Sequence, residues 1–140
     1  MTRDEIATLL VRHQEAFLRR DAEALTSHHA ADGTFESPAH GTVTGRGPIN
    51  DVYRYWFTAF PDAQFSWQPP LIDGDRAAVF WTFGGTARGP FFGIVGAGTR
   101  VDMKGAAEYT FGGGFIRSVR HFYDFSGVLL KTGVLKVKPS

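Results

Sequence analysis

At Pro61 the hydrophobic period of this 140-residue chain changes. Before it, Ile49, Val52, Tyr53, Trp56, Phe57 and Phe60 recur at helical spacing. "GPIND" opens that run, with Pro48 in a first-turn position where its missing N–H costs nothing. After Pro61, Phe65 and Trp67 alternate, and "AAVFWTF" (77–83) is apolar on both faces, as a central strand is. "RVDMKGAAEYTF" (100–111) alternates Val101, Met103, Ala107, Tyr109 and Phe111 with Asp102, Lys104, Glu108 and Thr110. "GGG" (112–114) turns the chain and "FIRSVRHFYDF" (115–125) returns. Helices first and an antiparallel meander after them predict an α+β fold, with helices packed on one face of a curved sheet.

The rest of the chain fits that frame. Ile6, Leu9, Leu10, His13 and Phe17 make one apolar stripe, and Thr2 with Glu5 has capping-box spacing. A short second helix starts at Asp21, a good N-cap. Thr34-Phe35-Glu36 reads as a first strand, and Val128-Leu129-Leu130 as a closing helical turn. No linker or repeat divides the sequence, so residues 1–140 form one domain. A domain of this size buries roughly 70% of the surface its unfolded chain exposes. With 13 Phe it carries more aromatic surface than a minimal core needs, which points to a cavity.

Composition excludes several classes of function. The net charge is +1, so nothing favours nucleic acid or an anionic membrane as a partner. No run reaches the ~20 apolar residues of a membrane span, and the N-terminus has no signal-peptide core; a soluble, cytoplasmic protein is expected. There is no Cys, hence no disulfide, thiolate nucleophile or thiolate metal ligand. The five His are scattered without metal-ligand spacing, so no metal and no cofactor is expected.

Asp124 is the carboxylate that stands out. It lies between Tyr123 and Phe125 at the end of an apolar run, where a charge is rarely buried unless paired or used. It also directly precedes Phe125-Ser126-Gly127, where it could cap a helix. If Gly112–Gly114 form a three-residue loop, Phe111 pairs with Phe115, and counting outward sets Asp102 opposite Asp124. Two adjacent carboxylates would raise one pKa, unless the strand ends splay and Asp102 is solvated. On the same count His121 has the opposite parity to Asp124 and faces the other side of the sheet.

The succession "GRGPINDVYRYWFTAFPD" (45–62), "GD" (74–75), "GTARGPFFGIVGAGTRV" (85–101) and an Asp followed by "VLLKTG" (128–133) resembles the SnoaL-like polyketide cyclase family, within the nuclear transport factor 2-like superfamily. The resemblance spans essentially the whole chain. It implies a cone: a strongly bent, mainly antiparallel sheet wrapped around three N-terminal helices, with a short C-terminal helix and an apolar pocket inside. It implies that Asp124 is the acid/base of an intramolecular aldol closure on a small, hydrophobic, oxygenated substrate such as a polyketide-like ester or ketone. Isomerisation, dehydration, or ligand binding without catalysis are the alternatives on the same fold. Asp102 is the possible catalytic partner. Phe17, His29, Phe35, Trp56, Arg120 and Phe122 are the candidate substrate-binding residues. Related cones dimerise, and the outer sheet face, exposing Trp81 or Tyr109 according to register, is the expected homodimer interface. Ala87 and Gly105-Ala106-Ala107 stand where the family tends to carry larger polar groups.

Overall fold

The computed structural model describes residues 1–139. Helix α1 (Arg3–Leu18) is nucleated by a complete capping box: Glu5 N–H donates to the Thr2 hydroxyl at 3.1 Å, and Thr2 N–H donates to the Glu5 carboxylate at 3.0 Å. Its stripe buries Ile6, Leu9, Leu10, His13 and Ala16. Asp21 caps the short α2 (Ala22–Ser27) by accepting from Ala24 N–H at 3.0 Å. Helix α3 (Arg46–Ala59) follows the hairpin of β1 (His29–Ser37) and β2 (Gly41–Thr44), and it buries Ile49, Val52, Tyr53 and Ala59.

The strands after α3 are β3 (Gln64–Trp67), β4 (Leu71–Asp73), β5 (Arg76–Thr86), β6 (Pro90–Phe91), β7 (Ile94–Val95), β8 (Arg100–Gly112) and β9 (Phe115–Tyr123). Helix α4 (Phe125–Thr132) closes the described chain. The large sheet is open and has the order β2-β1-β9-β8-β5-β3, with β4 also paired to β5. Its pairs are antiparallel except β1 with β9, which run parallel, so the sheet is mixed. The fold is α+β, with helices on the inner face, as the change of period predicts.

The register sets what points where. Trp81, Gly105 and Tyr123 form one cross-strand row, and Val79, Ala107 and His121 the next on the same face. The alternate rows, Phe80-Ala106-Phe122 and Ala78-Glu108-Arg120, face outward. Phe80 and Phe122 are 45% and 49% exposed, whereas Tyr109 is 5% exposed. The outward aromatics are therefore Phe80 and Phe122; Trp81 and Tyr109 turn inward.

The β8–β9 hairpin departs from the three-residue loop expected for it. Gly112 pairs with Phe115 across a two-residue turn, with Gly113 and Gly114 both at positive φ (62° and 88°). Mirror-image turns of this kind match strand twist and require left-handed residues, which glycine supplies freely. A bulge between Thr110 and Phe111 shifts the register once more. Asp102 consequently lies beyond the last β8–β9 pair, Gly105 with Tyr123, and opposes Gly84 of β5. It does not face Asp124.

Candidate functional site

Between the inner face and helices α1 and α3 lies a cavity of about 90 Å³. Phe17, Phe35, Trp56, Trp81, His121 and Tyr123 are among the side chains that line it. The half-exposed rings of Phe17, Trp56, Phe57, Phe65 and Trp67 rim it. Phe65 stacks on Trp67 with centroids 6.0 Å apart, and Phe17 packs on Phe65 at 5.0 Å. A cavity of ~150 Å³ holds one benzene ring. This one therefore admits a small group, or the reacting end of a larger molecule.

Polar chemistry in this wall is sparse. His121 projects from the inward side of β9, with its ring 5.1 Å from Phe35 and 5.9 Å from Trp81. Withdrawal from water pushes its pKa down to about 4, so the imidazole is neutral at physiological pH. Trp81 Nε1–H is buried without a hydrogen-bond partner, an expensive state for a donor. The Trp81 ring occupies the space that any side chain at Gly105 would need. The absence of a side chain at 105 is thus what lets the indole lie across the sheet. Burial pushes the Tyr123 phenol up to about 12, against the opposing influence of the neighbouring Ser37 side chain and Ala39 backbone. Trp56 is held by donating its Nε1–H to His40 Nε2 at 2.9 Å.

The expected site residues divide between two faces. Phe17, Phe35 and Trp56 line the cavity. His29 is 0% exposed and stands one layer behind, its Nε2 2.6 Å from the hydroxyl of Tyr53, which does line the cavity. Burial is the main cause that pushes the His29 pKa down to about 3. Arg120 and Phe122 are on the outer face: Arg120 pairs with Glu36 at 3.1 Å and lies over the Phe122 ring at 5.3 Å. From Val119 to Tyr123 the odd-numbered residues of β9 point in and the even-numbered ones out, so neither Arg120 nor Phe122 reaches the cavity.

Asp124 is exposed and caps α4, accepting from Gly127 N–H at 2.9 Å. It lines an open outer groove of about 990 Å³, together with Asp102, Lys104 and Lys131. Asp102 is exposed as well and pairs with Arg100 at 3.1 Å. Of the two readings open for Asp124, the geometry realises the cap. His121 and Asp124 do lie on opposite sides, as the count has it, and the two one-residue shifts of the hairpin leave that parity unchanged; the cavity is on the His121 side. Among the described residues no group of three His, Cys, Asp or Glu side chains is placed to hold a metal ion. Among them, too, no helix is long and apolar enough to cross a membrane.

With this geometry in place, comparison with known proteins identifies the class. The sequence profile described as SnoaL-like polyketide cyclase matches residues 7–131, and the chain belongs to that family. No curated protein sequence matches it. Among solved structures, AclR from Streptomyces galilaeus has a TM-score of 0.83 and 23% identity, covering 99% of this chain and 87% of AclR. TsrD from Streptomyces laurentii has a TM-score of 0.81 and 20% identity, covering 96% and 99% of the two chains. A protein from Catenulispora acidiphila with a ketosteroid isomerase-like fold, solved with trimethylamine, has a TM-score of 0.75 and 24% identity, covering 89% and 92%. At these identities the likeness defines the fold; the family is consistent with a role of the cyclase or isomerase type.

Proposed function

We propose that the protein catalyses proton transfer of the cyclase type on an apolar, oxygenated carbon skeleton, with His121 as the acid/base. The observation that carries this reading is the pairing, in one aromatic cavity, of a neutral imidazole with an unsatisfied indole donor, Trp81 Nε1–H. A ketone or ester carbonyl entering the cavity would accept from Trp81. His121 would then take a proton from the adjacent carbon, whose electron pair moves onto that carbonyl as an enolate. The enolate carbon forms a bond to a second carbonyl carbon, whose C=O opens to an alkoxide, and the imidazolium returns its proton there. An imidazolium in so apolar a site is a strong acid, which favours that return. Only the reacting end of a polycyclic substrate fits in 90 Å³; the remainder would stack on the aromatic rim. No metal or organic cofactor is needed for this sequence.

The test is ligand binding followed by NMR. Small aryl ketones such as 1-indanone should shift the Trp81 indole N–H and the His121 ring signals together. Shifts confined to residues of the outer groove around Asp124 would contradict the assignment.

We also propose a homodimer through the outer sheet face. Phe80, Ala106 and Phe122 form an apolar row across three strands, bordered by the Arg76–Glu108 and Arg120–Glu36 pairs. An exposed apolar centre with a polar border is the anatomy of a protein interface.

A further inference from the structure

Three histidines and a tyrosine form a buried polar cluster that the cavity chemistry does not use. His13 and His29 are 1% and 0% exposed, and their rings meet edge-on at 5.6 Å. His13 Nδ1 lies 2.8 Å from Nδ1 of His28, which is half-buried and opens toward solvent. On the other side, His29 Nε2 lies 2.6 Å from the Tyr53 hydroxyl, at the cavity wall. The two remaining nitrogens, His13 Nε2 and His29 Nδ1, are both buried without a partner. Two orphaned atoms on adjacent rings are unusual in a native core, because a buried polar atom without a partner has lost its hydration with nothing in return.

Tautomer bookkeeping shows that the orphans complement each other. A neutral imidazole has one donor and one acceptor nitrogen. If Tyr53 O–H donates to His29 Nε2, His29 must carry its proton on Nδ1. If His13 Nδ1–H donates to His28 Nδ1, His13 Nε2 must be an acceptor. The orphans are then one donor and one acceptor, on two rings whose centroids are 5.6 Å apart. Reversing every bond gives a second consistent set. One bridging water, or a rotation of either ring, would join them.

We propose that Tyr53, His29, His13 and His28 form a proton relay between the cavity and bulk water. A proton accepted by Tyr53 from the cavity side is matched by the Tyr53 proton passing to His29 Nε2, the His29 Nδ1 proton to His13 Nε2, the His13 Nδ1 proton to His28 Nδ1, and the His28 Nε2 proton to solvent. Each N–H or O–H bond forms as the previous one breaks, and no charge remains on the relay. The surroundings keep it neutral at rest. Burial is the first cause that lowers the pKa of all three histidines, and the neighbouring charges of Arg12 and Arg19 at His28, and of Arg46 at His29, act in the same direction. The relay rests on the cavity reading only for its use, to reset the protonation of the site; its test needs no substrate.

The test is NMR of the ¹⁵N-labelled protein at neutral pH. The relay requires His13 and His29 to be the same tautomer and His28 the opposite one. It further requires the ring N–H of His29 to exchange with water at least ten-fold more slowly in His28→Leu, where the outer end is blocked. Opposite tautomers at His13 and His29 overturn the proposal, and so does a His29 exchange rate unchanged in a folded His28→Leu. The tautomers are read on the unsubstituted protein, so that arm stands even if the variant does not fold.

Discussion

His121 and Asp124 are three positions apart and lie on opposite sides of one wall: the imidazole enters the aromatic cavity, and the carboxylate caps α4 at 2.9 Å from Gly127 N–H. Strand alternation turns Val119, His121 and Tyr123 inward; β9 ends at Tyr123, and Asp124 leaves the strand as the N-cap of α4. Of the two, it is His121 that lines the cavity.

Removing the cap should affect the fold before the function. Asp124→Ala is expected to destabilise the protein by about 1 kcal/mol, the usual cost of losing an N-cap side chain. Urea unfolding measures it. A loss above about 4 kcal/mol would show that Asp124 carries more than the cap.

Trp81 depends on Gly105. Any Cβ at 105 collides with the ring of the indole, so Gly105→Ala must displace Trp81 or the backbone of β8. The expected cost is about 1–3 kcal/mol. Trp81 fluorescence and the indole N–H signal should shift in the same variant. An unchanged Trp81 environment would place the indole elsewhere.

Much of the fold is legible in the sequence, because the helical stripe of α3 and the apolar run of β5 are strong periodic signals. The cross-strand partners at the cavity are not. They depend on whether Gly112–Gly114 make a two- or three-residue turn and on a bulge at Thr110, which together slide β9 by two residues against β8 and part Asp102 from Asp124. One signal could have found His121: Arg120, between Val119 and His121, has acidic partners only on the outside, in Glu36 and Glu108. Placing Arg120 outward turns His121 and Tyr123 inward. The short strands β2, β4, β6 and β7 have too few residues to show a period.

Stability should fall as the solution is acidified through the histidine range. The folded pKa values of His121 and His29 are depressed to about 4 and about 3, below the ~6.5 of the unfolded chain. Between these values the unfolded state binds more protons, so stability is fully present above pH ~6.5 and declines toward pH ~4. Denaturant unfolding at pH 7.5, 5.5 and 4.5 should show this decline, and His121→Phe should make it shallower. A decline of the same steepness in His121→Phe would show that His121 is not buried as described.

The proposed dimer would rest on the outer row. Light scattering at micromolar concentration should give about twice 15.4 kDa for the native chain and 15.4 kDa for Phe80→Ser combined with Phe122→Ser. A native mass of 15.4 kDa ends the dimer proposal.

The most direct test of the central claim compares the two residues in one reaction. Deuterium exchange at the carbon next to the carbonyl of 1-indanone, followed by NMR in D₂O, reports proton transfer without requiring the natural substrate. The native protein should accelerate it over buffer. His121→Phe should lose 10²-fold or more of that acceleration, the usual scale of a general base, while Asp124→Asn retains it within about three-fold. Loss in Asp124→Asn with retention in His121→Phe would contradict the account and return the chemistry to the carboxylate.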